Sequence, residues 1–275
     1  GDRKRYMDEL QILRTRANEI AESISKVEVS ARQDLIAQGK AVKEEVKTAE
    51  ASLSEVETKL TFELRQYPNL LRPDVPVGKD YTQNEVVRTF GEPTKLSFAP
   101  KDHMELGEKL GLIDMERAAK VSGARFAYLK GDAVRLEFAL FAYAMSELSK
   151  EGFVPVIPPH LISREAMSAM GYLDHGGEEE VYHLKNDDLV LIGTSEQALG
   201  PMHMNETFVD GELPRRYVGI SPCYRREAGS YGKDTKGILR VHQFDKVEMF
   251  SFTTADRSDE EHEFLLSMQE RLMQG

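Results

Sequence analysis

The chain has 275 residues and a formal net charge of −11, with 36 Lys and Arg against 47 Asp and Glu. This acidic balance excludes a protein that binds nucleic acid through an all-over basic surface, although it leaves room for a local site. The single cysteine, Cys223, excludes an intrachain disulfide and a cysteine-rich zinc site, and favours a cytoplasmic protein. No apolar run is long enough to predict a membrane span, and the histidines lack metal-ligand spacing, so we predict no metal site.

Two helices with narrow apolar seams are predicted at the start of the chain. Apolar residues recur in steps of four and three over 6–24, and a second such series runs over 35–60 with one position missing at Gly39. Such seams are typical of two-stranded coiled coils. The residues between the two series are too few for anything but the turn at the tip of a helical hairpin. We therefore predict an antiparallel helical hairpin over 1–66. From this pattern alone, a dimerisation coiled coil or a spacer is the preferred interpretation.

A proline-rich linker is predicted to separate this hairpin from the rest of the chain. Prolines at positions 68, 73, 76 and 93 exclude a continuous helix over 67–94, which places a second domain at 95–275. In that domain we predict helices over 102–119, 132–151 and 258–273, the last with a capping box of Ser258 and Glu261, and strands over 153–157, 189–192, 217–227 and 240–252. Unequal loops between the strands predict an antiparallel α+β body.

The strands over 217–227 and 240–252 carry an unusual polar face. Strand alternation puts Arg225 and Glu227 on one face of the first strand, and it groups Arg240, Phe244 and Glu248, with His242 and Lys246, on one face of the second. The arginines can hold phosphate oxygens. The aromatic ring offers a flat surface to a base, and Glu227 can accept a hydrogen bond from an exocyclic amine. A solvated, salt-bridged sheet face with one exposed Phe is an equally good interpretation.

Two further segments are candidates for ligand contacts. The loop 228–239 contains Gly229, Gly232 and Gly237 with Lys233 and Lys236, and a long loop of this kind is more often functional than a simple connection. Its spacing is not that of a P-loop.

The second segment follows the apolar run at 189–192. Thr194 and Gln197 fit a capping box, which by itself is the better explanation of this stretch. The carboxylate of Glu196, at a strand-to-helix junction, can alternatively hold a ligand ammonium group.

Together these segments resemble the seryl-tRNA synthetases, a family of class II aminoacyl-tRNA synthetases. The matching stretches are 68–78, 152–159, 193–196, 223–230 and 240–248, and the resemblance covers nearly the whole chain. It implies an α+β fold in which 1–66 is a coiled-coil tRNA-binding arm, 67–94 is a linker and 95–275 is a class II catalytic domain. The resemblance also implies an incomplete chain, which contains motifs 1 and 2 but lacks motif 3 and the start of the arm.

The resemblance also implies roles for individual residues. Arg225 is the catalytic residue and contacts the α-phosphate of ATP. The implied ATP site consists of Arg225, Glu227, Arg240 and Phe244, with Glu227 near the adenine amine and Phe244 stacked on the base. The implied serine site consists of Thr194, Glu196, Arg225 and Glu248, in which Glu248 reads the side-chain hydroxyl. ATP is expected to act with Mg²⁺, and no metal ligand is assigned in this chain.

The implied function is that of a serine–tRNA ligase. Such an enzyme activates serine with ATP to seryl-adenylate and transfers it to the 3′-terminal ribose of serine tRNA, whose long variable region the arm would grip. Motif 1, over 132–159, implies a homodimer. The incomplete chain by itself is expected to bind ATP weakly and to catalyse nothing. The alternative is a non-catalytic, synthetase-like protein that binds tRNA or protein, and retention of both ligand sets argues against it.

One segment departs from the family pattern. Residues 170–180 match only loosely, with Met170, Gly171 and Tyr172 where a Thr-Gly pattern is common. We expect this segment to be mobile.

Overall fold

The computed structural model describes residues 1–28, 32–67, 70–174, 176–229 and 237–275. The chain divides into two compact units, Gly1–Glu85 and Val86–Gly275. The first unit therefore takes in most of the predicted linker, and the domain boundaries after residues 66 and 94 stay predictions. Within the described residues, no helix combines the length and apolar character that a membrane span requires.

The first unit contains the predicted helical hairpin, formed by α1 (Asp2–Lys26) and α2 (Arg32–Arg65). Its seam is buried at Leu10 and Ile20 of α1 and at Val42 and Ala49 of α2. The missing seam position, Gly39, faces the side chain of Ile20, to which an added Cβ would lie at 3.5 Å.

Ion pairs across this hairpin show that its helices are antiparallel. Arg3 near the start of α1 pairs with Glu57 at 3.0 Å, and Arg14 pairs with Glu50 at 2.9 Å. The later a residue lies in α1, the earlier its ion-pair partner lies in α2, as expected for antiparallel helices. The antiparallel arrangement is confirmed, whereas part of the predicted tip, 29–31, lies outside the described residues.

The second unit alternates short helices and strands before a long hairpin. Its elements are α3 (His103–Lys109), β1 (Ile113–Asp114), α4 (Met115–Ser122), β2 (Tyr128–Leu129), α5 (Asp132–Lys150), β3 (Val154–Val156), β4 (Leu161–Ser163), α6 (Arg164–Ala169), β5 (Leu189–Leu191), α7 (Glu196–Leu199), β6 (Arg215–Tyr224), β7 (Gln243–Phe252) and α8 (Ser258–Gln274). Turns of 3₁₀ helix lie at Tyr81–Gln83 in the first unit and at Gly177–Glu180, Gly200–His203 and Ala255–Arg257 in the second. The α+β prediction is confirmed.

The main sheet has the strand order β3-β6-β7. β6 and β7 are antiparallel over their whole length, whereas β3 pairs with β6 in parallel, with Val154 opposite Tyr217. The antiparallel prediction therefore holds for every strand pair in the described residues except β3 with β6. A parallel pair needs a long connection, and the chain between β3 and β6 supplies one.

The two faces of the β6–β7 hairpin differ in character. On one face, Val218 packs with Leu148 of α5, Phe153 and Met268 of α8 in a buried cluster. On the other face, register pairs Gly219 with Glu248, Ser221 with Lys246 and Cys223 with Phe244. One face is therefore part of the core, and the other presents the polar residues that strand alternation predicted.

Two local predictions are wrong. The helix predicted over 102–119 is split into α3 and α4 by a turn at Gly111, whose φ of +68° suits glycine. The predicted capping box at the start of α8 does not form: the Ser258 hydroxyl donates to the Ala255 carbonyl at 3.0 Å.

The second partner of that capping box forms a buried ion pair instead. The Glu261 carboxylate accepts two hydrogen bonds from Arg216 of β6, at 2.6 and 2.7 Å. Ser251 of β7 donates to the same carboxylate at 2.7 Å. Because a buried carboxylate is stable only with a charge partner, this tertiary contact outweighs the local cap and fastens α8 to the sheet.

Candidate active site

The hairpin pairing continues beyond β6, where it positions the first group of predicted residues. The Arg225 amide donates to the His242 carbonyl at 3.0 Å, in the register of the strands. Two positions further on, Arg240 Nη1 lies 3.5 Å from Glu227 Oε2. Glu227 has a positive φ of 51°, which turns the chain out of the strand. The structure therefore brings Arg225, Glu227 and Arg240 together at the open end of the hairpin.

Arg225 is held between a loop and an aromatic ring. Its Nε donates to the Gly193 carbonyl at 3.0 Å, and its guanidinium carbon lies 5.2 Å from the centre of the Phe244 ring. A Cβ at Gly193 would lie only 3.2 Å from Arg225 Cγ and 3.3 Å from the Tyr224 carbonyl. Glycine at this position therefore lets the loop approach the arginine side chain.

A cavity of about 490 Å³ opens beside these residues. Its lining comes from the 172–181 segment, the 193–197 loop and the end of the hairpin: Tyr172, Gly177, Glu180, Val181, Gly193, Thr194, Gln197, Tyr224, Arg225, Glu227, Gly229 and Arg240. Four of the seven predicted site residues line it. Phe244 instead borders a second cavity of about 380 Å³ together with Ile238 and Val241.

Glu248 is the centre of a hydrogen-bond network next to this cavity. Its Oε2 accepts from the Ser195 hydroxyl at 2.9 Å, from the Glu196 amide at 3.0 Å and from the Thr194 hydroxyl. Lys246 Nζ lies 2.6 Å from Oε1 and also donates to Thr194 Oγ1 at 2.9 Å. Burial alone would raise the pKa of Glu248, but the hydrogen bonds from Lys246 and Thr194 lower it below its usual value.

A glycine opposite Glu248 allows this network to form. A Cβ at Gly219 would lie 2.6 Å from Ser195 Oγ and 2.9 Å from Leu199 Cδ1. The 194–196 loop can therefore pack directly on the backbone of β6. This close approach brings the loop donors to a carboxylate on β7.

The capping box predicted at Thr194 and Gln197 is wrong in detail. Gln197 Oε1 accepts from the Gly193 amide at 2.7 Å, one residue before the predicted start. The Thr194 hydroxyl donates to Glu248, and its oxygen accepts from the Glu196 amide at 3.4 Å, so only a long version of the predicted cap bond forms. The stretch that had a purely structural interpretation is therefore bonded to the polar face of the hairpin.

The carboxylate of Glu196 has a separate partner. The Tyr172 hydroxyl donates to Glu196 Oε2 at 3.0 Å. Burial and the charge of Glu196 raise the pKa of Tyr172 to about 12, so the phenol stays protonated at neutral pH.

Sequence reasoning missed three residues of this site: Ser195, Lys246 and Tyr172. Lys246 shares the strand parity of Glu248, and Ser195 lies between two predicted residues, so both had a usable signal. Tyr172 lies in a segment without helical or strand periodicity, and no pattern in the chain pointed to it.

Two glycines of the loop 228–239 lie within the described residues. The Gly229 amide donates to Glu180 Oε1 at 3.2 Å, and Gly237 has a φ of +86°. Gly232, Lys233 and Lys236 lie outside the described residues. A ligand contact by this loop, and mobility of 170–180, stay predictions.

Comparison with known proteins gives matches along the whole chain. A family model described as the seryl-tRNA synthetase N-terminal domain matches residues 1–71. A second, the tRNA synthetase class II core domain (G, H, P, S and T), matches 181–274. A curated relative, the serine–tRNA ligase of Thermobifida fusca, is 46% identical over 96% of this chain and 62% of its own length. The chain thus spans less than two thirds of that relative.

Solved structures of the same kind match in three dimensions. The crystal structure of seryl-tRNA synthetase from Pyrococcus horikoshii complexed with ATP has a TM-score of 0.81 and 37% identity, over 99% of this chain and 66% of that one. The cytoplasmic serine–tRNA ligase of Naegleria fowleri in complex with AMP has a TM-score of 0.77 and 30% identity, over 99% and 64%. Because both domain models and both folds agree, this chain belongs to the seryl-tRNA synthetase family.

Proposed function

We propose that this chain is the arm and part of the catalytic domain of a serine–tRNA ligase, which activates serine with ATP and transfers it to the 3′-terminal ribose of serine tRNA. One observation carries the proposal: the cavity lined by Arg225, Glu227 and Arg240 adjoins the network of Glu248. Arginine side chains that could bind a triphosphate therefore lie beside carboxylates that could bind an amino acid. The two similar structures, which were solved in complex with ATP and with AMP, support the nucleotide half of this proposal.

The nucleotide is proposed to bind along the open end of the hairpin. Arg225 would contact the α-phosphate, because it lines the cavity and its guanidinium is oriented by Gly193 and Phe244. Glu227 would accept a hydrogen bond from the adenine amine, and Arg240, now paired with Glu227, would supply a second cation. Phe244 would stack on the base.

Serine is proposed to bind at the network of Glu248. The lowered pKa of Glu248 keeps it ionised at neutral pH, so it can accept a hydrogen bond from the serine hydroxyl. Among the described residues, its Oε1 accepts from Lys246, while Oε2 already accepts three hydrogen bonds. The serine hydroxyl is therefore expected at Oε1, and Glu196 and Thr194 would receive the ammonium group.

The chemistry then needs positioning and charge neutralisation rather than a base. The carboxylate of serine, already ionised, attacks the α-phosphorus in line and pyrophosphate leaves. Arg225 neutralises charge that develops on the α-phosphate oxygens. A ribose hydroxyl of the tRNA then attacks the carbonyl carbon of seryl-adenylate, and AMP leaves.

Mg²⁺ is proposed to enter with ATP, as its complex. Within the described ranges, no group of three or more His, Cys, Asp or Glu side chains could hold a metal ion. The ion is therefore assigned to the phosphates of ATP.

A homodimer is proposed to form through α5 and β3. These elements and the residue after β3 expose several large apolar side chains, Leu136, Phe138, Leu140, Val154 and Ile157. Exposed apolar side chains on neighbouring elements support an interface here. The arm would grip the long variable region of the tRNA, and the single buried cysteine is compatible with the proposed cytoplasmic location.

Serine-dependent exchange of pyrophosphate into ATP tests the proposal. We would measure it on the longest protein that the gene encodes, with serine, alanine and glycine. Arg225→Ala is expected to lower the rate about 100-fold or more, since it removes a cation from the transition state. Glu248→Ala should abolish the preference for serine over alanine.

Arg226→Ala is the matched control for the arginine. The Arg226 amide donates to the Glu180 carbonyl, and its side chain is not part of the proposed site. This variant should keep wild-type exchange. A wild-type protein that prefers glycine or alanine, or that ignores the loss of Glu248, contradicts the serine assignment. Absence of exchange together with retained tRNA binding would favour the non-catalytic alternative.

A further inference from the structure

The two carboxylates of the proposed amino-acid site have different partners. One carboxylate oxygen of Glu248 lies 2.6 Å from Lys246 Nζ, and the other accepts hydrogen bonds from three neutral donors. Among the described residues, the carboxylate of Glu196 is contacted by one donor, the neutral hydroxyl of Tyr172 at 3.0 Å. The first carboxylate is therefore charge-compensated, whereas the second is oriented by a neutral donor and has no cation in contact with it among the described residues.

This difference matches the hydroxyl and the ammonium group of serine. A carboxylate paired with a cation suits a neutral hydroxyl, because binding that hydroxyl leaves no uncompensated charge. A carboxylate held by a neutral donor suits a cation, because its charge remains available for the ion pair. The phenol keeps its proton, since burial and Glu196 raise the pKa of Tyr172 to about 12.

The ring of Tyr172 is fixed independently of its hydroxyl. It packs against a buried cluster made by Ile162 of β4, Met167 of α6 and Val190 of β5, with Val181 before β5 and Ile192 after it. The backbone of Tyr172 also passes so close to Gly177 that a Cβ there would meet the Tyr172 carbonyl carbon at 3.1 Å. The hydroxyl is thus presented to Glu196 from a packed base, and the same side chain forms part of the cavity wall.

We propose that Tyr172 is a positioning residue of the amino-acid site, whose hydroxyl fixes the Glu196 carboxylate for the α-ammonium group of the substrate. The inference rests on the proposed function and extends it to a residue outside the segments that carry the family resemblance. It predicts an effect confined to ligands that bear an α-amino group.

Tyr172→Phe tests this inference, because it removes the hydroxyl and keeps the packed ring. The probes are the sulfamoyl-adenosine analogue of seryl-adenylate and its counterpart without the α-amino group. Loss of a hydrogen bond to a charged group should weaken binding of the first about tenfold and of the second less than about twofold. In pyrophosphate exchange, KM for serine should rise about tenfold with kcat and KM for ATP unchanged.

Two further variants separate positioning from a structural effect. Tyr143→Phe removes a hydroxyl that donates to the Leu272 carbonyl at 3.2 Å, away from the site, and should leave both affinities unchanged. In a Glu196→Gln background, which removes the carboxylate charge, Tyr172→Phe should cause little further loss, since the two residues act on one interaction.

Two results overturn the inference while the wild-type enzyme is active with serine. Equal affinities of wild type and Tyr172→Phe for the amino analogue would show that the hydroxyl positions nothing. Tighter binding by the variant would show that Tyr172 competes with the ammonium group. A wild-type protein that neither exchanges pyrophosphate with serine nor binds the analogue overturns the proposed function itself.

Discussion

Replacing Lys246 by Met is expected to destabilise the fold more than replacing Lys120, although both lysines form ion pairs of the same length. Lys246 Nζ lies 2.6 Å from Glu248 Oε1, and Lys120 Nζ lies 2.6 Å from Glu116 Oε1. The side chains of the first pair are 29% and 17% exposed, and those of the second are 67% and 81% exposed. Exposed pairs contribute about 0 to 1 kcal/mol. Leaving Glu248 without its cation should cost about 2 kcal/mol, because three other donors still hold the carboxylate.

The pH dependence of this loss has a definite sign. In the wild type the pKa of Glu248 is lowered, so its contribution to stability is present above its ordinary pKa and is lost as the pH falls through the lowered value. Without Lys246, the hydrogen bond and the charge that lower the pKa of Glu248 are lost while burial remains, so this pKa should rise relative to the wild type and the variant should gain less stability as the pH rises. The difference between the two proteins should therefore widen between pH 4 and pH 7, on the order of the full 2 kcal/mol.

Urea denaturation of the chain at several pH values between those limits measures this effect. Lys246→Arg keeps the cation and should retain most of the stability. An equal loss of unfolding free energy in Lys120→Met and Lys246→Met would refute the argument from burial. A difference that narrows as the pH rises would refute the assignment to Glu248.

Three other changes are expected to separate the roles of neighbouring parts. Gly219→Ala would place a Cβ 2.6 Å from Ser195 Oγ and should raise KM for serine about tenfold in pyrophosphate exchange; an unchanged KM would mean that the loop can shift. Glu261→Gln removes the bidentate partner of Arg216 and should cost about 3 kcal/mol in urea denaturation, whereas a loss near zero would mean that the pair is solvated. Deleting residues 1–66 should spare pyrophosphate exchange and abolish charging of serine tRNA; equal loss of both would make the arm a structural part.

The polar face of the hairpin could be predicted because strand alternation is a local property. Arg225, Phe244 and Glu248 were placed by counting residues. The register of β6 and β7 confirms the common face of Phe244 and Glu248, and the Arg225 guanidinium lies against the Phe244 ring. The helical hairpin could be predicted equally well, because its apolar seam repeats over many helical turns. Strand alternation could not predict which distant segments come together, and it therefore gave no sign that the 193–197 loop approaches that face.

Two of the errors share a cause, because in each a side chain that fits a local cap has a partner far away in the sequence. Glu261 fits a capping box by its spacing, but it pairs with Arg216, which lies 45 residues earlier. Thr194 likewise fits a cap and bonds to Glu248, 54 residues later. Tyr172 carried no signal, since its position depends on how α6 and β5 pack. A sequence pattern predicts a hydrogen bond between residues that are close in the sequence. In the folded protein a residue from a distant segment can take the place of that local partner.

The two-faced hairpin implies that selection acts on alternate residues for different reasons. At Val218 and Met249 a substitution is constrained by the volume available among helices, so the amount of folded protein would change first. At Phe244, on the proposed ligand side, a substitution would be constrained by ligand chemistry, so turnover would change first. A map of tolerated substitutions along β6 and β7 should therefore oscillate with a period of two, and its phase identifies the ligand side.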